Sequence, residues 1–438
     1  MFGSSIFITL ICGLLSTANA THILVIAPPF LSHMIPSLEL AKQLSSYCHV
    51  TYLTSINSIS ELERKEFISH LNSSKTLDIV GLVDGNNHLP GLMIEESQIN
   101  SNNTAQIAFD DHQRILFNEV LVRMGQALHH LFQTDLQSSV RLPIDMIIAR
   151  SFVPLSFLNT SIPIHLFLPS NLRGVVSYMR RQHTDKTGQF KEAYDYIREN
   201  IHQANGFLCN SLKEFDGEYV DEFYQSSGTL APIRFIGPLV FDNKQATMTS
   251  QTRNIIDWLD KQSTGSVIYI AFGSIANLPA NAIDSVACAL KHHAFIWSLK
   301  TKSALPPSLH NLDSVHQLIV DWAPQRAILS HSSVAFFFSH GGWNSLLESM
   351  LYGKALLVWP FFADQFDNAL QVVDMGVGRQ VSYNLTDDIQ HMLLNGSYAK
   401  RAKDVQQLAI DARENTSKKQ ILDIVRLISK NQQEHNEL

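Results

Sequence analysis

The sequence predicts an α/β protein made of two doubly wound parallel sheets, and three observations carry that expectation. Short apolar runs of strand length alternate with helical patterns from His22 onward, the grammar of parallel strands joined by crossover helices. That grammar breaks over Phe241–Arg253 and then restarts. A chain of 438 residues is also too long for one ordinary domain and suits two of about 200 residues each.

In order, His22–Ala27 is an apolar run stopped by Pro28-Pro29, as a buried parallel strand should be. Ser37–Ser46 sets Leu38, Leu40, Ala41 and Leu44 at helical spacing, and Val50–Thr54 completes a βαβ opening. Further strands are expected at Ile144–Ala149, Ile162–Leu168, Gly206–Asn210 and Arg234–Ile236. Phe241–Arg253 is polar throughout its middle and reads as a linker between domains. Beyond it, strands are expected at Ser266–Ala271, Phe295–Leu299, Leu318–Val320, Val334–Ser339 and Ala355–Pro360, with helices at Ala280–Leu290 and Leu346–Tyr352. From Ala399 the pattern is helical, carried by Val405, Leu408, Ile421, Ile424, Val425 and Leu427. The expected boundaries are 21–240, a linker 241–254, 255–404, and helices with a tail over 405–438. Two halves of this kind place a cleft between them, and ligands bind beyond the carboxyl ends of their strands.

Composition excludes several function classes. A net charge of −7 without a long Lys/Arg run gives no surface for nucleic acid or an anionic membrane. Met1–Ala20 holds the apolar stretch Ile6–Leu15 and ends Ala18-Asn19-Ala20, too short to span a bilayer, so it reads as a cleaved signal peptide. A first core element is the alternative. No other segment predicts a transmembrane helix. The last four residues, His435-Asn436-Glu437-Leu438, resemble an endoplasmic-reticulum retrieval signal, so the expected address is that lumen, with secretion as the alternative. Six N-x-S/T sites, at Asn72, Asn102, Asn159, Asn384, Asn395 and Asn415, agree mildly with this compartment. Cys48, Cys209 and Cys288 are widely spaced, which implies buried thiols and neither a disulfide framework nor a metal site. The adjacent pairs His129-His130 and His292-His293 point apart on a helix, so no metal is expected there.

The chemistry concentrates in Trp322–Gln365. Val334–Ser339 runs into His340-Gly341-Gly342 and then into a helix. Glycines at such a turn let backbone approach a phosphate, whose charge the helix N-terminus favours. Alone, Gly-Gly before a helix reads as a structural turn. Here His340, Asn344 and Ser345 add donors, Glu348 adds an acceptor suited to sugar or ribose hydroxyls, and Trp322 adds a flat face for a base.

This segment resembles the signature box of the inverting UDP-dependent glycosyltransferases of GT-B fold, particularly the plant secondary-product enzymes and their animal and fungal glucosyl- and glucuronosyltransferase kin. Trp322-Ala323-Pro324-Gln325 opens it, Ser339 to Ser349 forms its middle and Phe361-Phe362-Ala363-Asp364-Gln365 closes it. Gly265–Ser274, Phe235–Leu239 and Asn210–Phe215 extend the likeness, which is thinner before residue 206. The resemblance implies two Rossmann-like domains, the first binding the acceptor and the second the UDP-sugar. It further implies that Trp322 stacks on uracil, with Ala323 and Gln325 at its edge and the ribose side, and that Glu348 binds the ribose. His340, Gly342, Asn344, Ser345 and Ser274 would hold the diphosphate, and Trp343, Asp364 and Gln365 the sugar hydroxyls. A final Gln goes with glucose donors in that family, so UDP-glucose is the expected donor and UDP-glucuronic acid the second choice. No cofactor or metal is implied, because UDP leaves into a helix terminus.

The same resemblance gives His33, after the first strand and its Pro28–Ser32 loop, the role of the base that deprotonates a small lipophilic acceptor. One departure stands out. The family supports this His with an Asp after a strand like Asp145–Ala149, and here Arg150 stands there. A cation beside His33 would lower its basicity. Another carboxylate then serves (Asp110 and Asp111 lie in a suitable region), or the acceptor needs little activation, or the chain binds UDP-sugar with weak or no turnover. The acceptor itself is set by loops such as Gly85–Asn103 and Phe152–Leu158, whose sequence does not name it.

Overall fold

The computed structural model describes residues 21–64, 67–68, 76–82, 111–135, 143–181, 191–240, 249–273, 278–299, 307–309 and 312–436. The expected signal peptide, residues 241–248 of the expected linker, Asp110, the Gly85–Asn103 loop, Ser274 and the last two residues of the tail lie outside this set. The described residues form two compact units, one of 21–240 with 412–436 and one of 249–411.

The first unit is a seven-stranded parallel sheet: β1 (His22–Ile26), β2 (His49–Ser55), β3 (Leu77–Leu82), β4 (Met146–Arg150), β5 (Ile164–Leu168), β6 (Gly206–Cys209) and β7 (Ile233–Phe235). Their spatial order is β3-β2-β1-β4-β5-β6-β7. Every residue of β1, β4 and β5 is buried, as expected of strands covered on both faces. The order reverses between β1 and β4, so their carboxyl ends diverge into connections on opposite sides and leave an opening there. Register places Ile26 beside Ala149, which brings the residues following β1 next to Arg150.

After β1 comes α1 (Leu31–Leu44), six residues earlier than the expected start at Ser37. Pro36 lies inside the helix. Its missing N–H forfeits one bond, to Ser32 in the first turn, and the Ser37 hydroxyl donates to the His33 carbonyl at 2.9 Å. His33 therefore sits on the first turn of a helix instead of in a preceding loop.

The second unit repeats the plan with six parallel strands: β8 (Val267–Ala271), β9 (Ala294–Ser298), β10 (Gln317–Val320), β11 (Val334–Ser339), β12 (Ala355–Val358) and β13 (Gly378–Gln380), ordered β10-β9-β8-β11-β12-β13. Its reversal falls between β8 and β11, where Ala271 pairs with Ser339. The site is framed by α2 (Gln325–Ser330), α3 (Trp343–Tyr352) and α4 (Gln365–Asp374). A helix at Ser250–Leu259, capped by the Thr249 side chain, begins within the stretch expected to be linker.

Near the C-terminus α5 (Gly396–Asp411) packs on α3, while α6 (Lys418–Asn436) lies against α1 in the first unit. There Ile421, Ile424, Val425 and Ile428 join the core formed by Leu38, Ala41 and Val50. The Ser417 hydroxyl donates to the Gly237 carbonyl and fixes the start of α6. Leu408 and Leu427, expected on the buried face, are exposed. Cys48 and Cys209 are buried as expected, whereas Cys288 is exposed on the outer side of its helix. No helix of the described residues is long and apolar enough to cross a membrane.

Candidate functional site

In the second unit the sequence places a strand-to-helix turn at the reversal point of the sheet, and packing fixes its shape. Gly341 takes φ +85°, a conformation costly for residues with a Cβ. Its carbonyl accepts from Asn368 Nδ2 at 2.8 Å, and its N–H donates to Ser339 Oγ at 3.2 Å. The His340 ring lies against Gly273 and Gly342, where an added Cβ would fall 2.8 and 2.5 Å from its Nε2. Behind the turn Phe272 meets Phe338 edge-on at 5.0 Å, and Trp359 stacks parallel to Phe338 at 6.3 Å. The turn is thus held from below by a rigid aromatic layer.

Gly342 caps α3 in extended conformation with no side-chain cap. The helix begins at Trp343, three residues before the expected Leu346. The N–H groups of a first helical turn lack intrahelical acceptors and carry the positive end of the helix dipole, which makes this turn a seat for an anion. The Trp343 ring is 4% exposed, so what this residue can offer a ligand is its backbone.

Gln325 ties the neighbouring polar groups together. Its Nε2 donates to Glu348 Oε2 at 2.6 Å and to Ser345 Oγ at 3.2 Å, while its Oε1 accepts from the Tyr269 hydroxyl at 3.1 Å. Burial raises the Glu348 carboxyl above the ordinary carboxylate range, opposed by the Gln325 hydrogen bond and the Arg326 charge. Glu348 Oε1 is left beside this fixed scaffold. Trp322 is 54% exposed, a large apolar ring on the surface directly before α2. Tyr269 and Asn368 were not anticipated from sequence. The only available signal for Asn368 was its place one turn after Asp364.

Two expected residues also bond within the protein. Gln365 is 3% exposed, and its Oε1 accepts from the N–H groups of Phe361 and Phe362 at 2.8 and 3.2 Å. Asp364 Oδ2 accepts from Asn368 Nδ2 at 3.2 Å. Both side chains shape the loop ahead of α4, in which Ala363 adopts the strained φ of +54°.

In the first unit His33 and Arg150 meet at the reversal point. Arg150 Nη2 hydrogen-bonds His33 Nδ1. The guanidinium is 2% exposed and lies over the Phe152 and Phe167 rings at 5.2 and 5.8 Å. Burial first, and Arg150 second, hold the His33 imidazole well below its ordinary pKa. Asp145, at the other end of β4, accepts the His22 N–H at 2.8 Å. Five strand residues put it about 17 Å from Arg150, out of reach of His33. Among the described residues no group of three His, Cys, Asp or Glu is placed to hold a metal ion.

Two buried imidazoles make stability depend on pH. Burial pulls His340 down to about 4, against a backbone hydrogen bond at Ala271, and burial with the Arg234 charge takes His165 to about 4. The unfolded chain takes up these protons near pH 6.5 and the folded chain only near 4, so stability present above 6.5 is lost as pH falls toward 4. Urea midpoints should therefore drop across that window, less steeply in His340→Gln. A midpoint independent of pH there contradicts the assignment.

Comparison with known proteins agrees with this architecture. A UDP-glycosyltransferase of Stevia rebaudiana is 29% identical over 262 residues, covering 51% of this chain and 55% of the relative. The chain spans about half the length of the curated relatives it matches. Among solved structures, a Polygonum tinctorium UDP-glucosyltransferase capable of glucosylating indoxyl superposes with a TM-score of 0.76 at 20% identity, over 95% of this chain and 100% of that one. A Medicago truncatula protein complexed with UDP-glucose gives 0.75 at 20% identity, over 94% and 98%. These likenesses show the GT-B fold. The profile of the UDP-glucoronosyl and UDP-glucosyl transferases matches residues 183–402, half of the sequence and nearly all of the second unit, and the chain belongs to that family.

Proposed function

We propose that this protein transfers a hexose, glucose first, from a UDP-sugar to an oxygen of a small, largely apolar acceptor, with inversion at the anomeric carbon. The observation that carries the reading is the uncapped start of α3 at the β8/β11 reversal, flanked by the Gln325–Glu348 pair and exposed Trp322. In this reading the diphosphate lies on the first turn of α3, near His340, Asn344 and Ser345. The ribose bonds Glu348, the uracil stacks on Trp322, and Asp364 and Gln365 serve the sugar. The helix terminus stabilises charge as it develops on departing UDP. The glucose donors named for the relatives support the choice of sugar.

The test is transfer from radiolabelled UDP-glucose to a panel of aromatic acids, phenols and sterols, with UDP-glucuronic acid in parallel. Labelled product supports the reading, and its absence with every acceptor and both donors contradicts it. Trp322→Ala should leave stability unchanged while costing UDP about 1–3 kcal/mol of affinity, the worth of one stacked base. Unchanged affinity would remove the ring from the site. A second reading, UDP-sugar binding without turnover, is favoured by the contact of Arg150 with His33. UDP affinity with no product from any acceptor would establish it.

A further inference from the structure

We infer that His33 is a hydrogen-bond donor to the acceptor instead of its base, and that the acceptor oxygen is already an anion, a carboxylate or the phenolate of an acidic phenol. The inference rests on the transferase reading above and names the acceptor class of that site.

The argument begins with the chemistry of the two side chains. A guanidinium has only donors and keeps its proton in proteins. The contact of Arg150 Nη2 with His33 Nδ1 therefore makes Nδ1 the acceptor. An imidazole accepting at Nδ1 carries its single hydrogen on Nε2. A carboxylate behind the ring would reverse this, taking Nδ1–H and freeing the Nε2 lone pair for a proton. Arg150 removes that lone pair from use.

The arrangement is built in and does not depend on a surface rotamer. Arg150 ends β4, is buried, and is held over Phe152 and Phe167. His33 is fixed by its place on the first turn of α1 and by edge-on contacts with Phe152 at 4.9 Å and Phe30 at 5.8 Å. Among the described residues the charged group facing His33 is Arg150. The Tyr52 phenol, from β2, is raised by burial against a smaller opposing effect of the same guanidinium, and donates to the Met34 carbonyl at 3.1 Å. The imidazole stays neutral because burial and Arg150 both disfavour a second proton.

A neutral ring that presents N–H, backed by a buried cation, suits an oxyanion and not a hydroxyl that must lose its proton. The step then balances without proton transfer. The anionic oxygen forms a bond to the anomeric carbon, the bond from that carbon to the β-phosphate oxygen breaks, and its electron pair leaves with UDP. The acceptor's single negative charge ends on the released UDP. His33 is the catalytic residue that touches the acceptor, and Arg150 is a positioning residue that acts through it.

The test uses the full chain with 15N-labelled histidine, assigning His33 by difference from His33→Gln. The expected spectrum has hydrogen on Nε2 and none on Nδ1; hydrogen on Nδ1 overturns the tautomer. Transfer from UDP-glucose is then compared between benzoate and benzyl alcohol, which share a ring and differ in the nucleophile. Benzoate should be preferred by about a hundredfold or more, the scale of the base catalysis the alcohol would need. His33→Gln, which keeps an N–H donor, should retain benzoate transfer within about tenfold, the worth of one hydrogen bond. Arg150→Asp should move the hydrogen to Nδ1 and raise transfer to benzyl alcohol. Should that buried substitution not fold, Arg150→Met should still raise the Nδ1–H population. Product from benzyl alcohol alone overturns the acceptor class and leaves the transferase reading intact. UDP binding with product from neither acceptor overturns both, and the nitrogen spectrum still decides the tautomer.

Discussion

Replacing Glu348 by alanine is expected to weaken UDP binding by about ten- to a hundredfold, the 1.5–3 kcal/mol of a hydrogen bond to a charged group. Glu348 is fixed in place by Gln325, whose other bonds reach Ser345 and Tyr269. The carboxylate is therefore aimed before a ligand arrives, and little ordering entropy opposes binding. Stability should change much less, because Gln325 keeps its bonds to Ser345 and Tyr269 after the substitution. Calorimetric titration with UDP beside a thermal melt separates the two effects. A variant that melts like the parent and binds UDP equally well would take Glu348 out of the ribose site.

The second large effect concerns the turn itself. Gly341→Ala must force alanine into φ +85°, and its Cβ would lie 2.6 Å from Val358 Cγ1 and 3.3 Å from the Gln365 carbonyl. Left-handed backbone costs about 1–2 kcal/mol and overpacking about 1–3, so a combined loss of about 2–5 kcal/mol is expected. The Asn368 bond to the Gly341 carbonyl would move with it, so UDP affinity should fall as well. Gly396→Ala is the matched control, since a Cβ there meets nothing within 4 Å. Denaturant melts of both variants check this. Equal stability of the two would show that the turn yields freely and that its geometry is not what the glycine preserves.

Much of the fold was legible because buried parallel strands are continuous apolar runs. β1, β4, β5, β8 and β11 announced themselves in this way. The strands not foreseen, β3 and β13, lie at the edges of their sheets. With one neighbour each they need no unbroken apolar run. Asp78 and Gly81 interrupt β3, where Asp78 bonds His49 at 2.9 Å, and β13 has only three residues. The face of α6 was readable from Ile421, Ile424 and Val425, but not its partner, since periodicity says that a face is buried and not against what.

The candidate site divides along the same line. Trp322 to Gln365 is contiguous, so its strand, turn and helix could be read together. Tyr269 and Gln325 are 56 residues apart, one on β8 and the other opening α2, and meet only once the unit is folded. His33 and Arg150 are 117 apart. Sequence could say what a cation beside His33 would do, and the β1/β4 neighbourhood supplies the meeting.

The decisive measurement is the calorimetric titration of UDP into the intact chain. We expect one site per chain, with affinity carried by the amides that open α3 and by the polar cluster behind them. No heat of binding at ligand concentrations well above those that saturate ordinary nucleotide sites would contradict the account at its root.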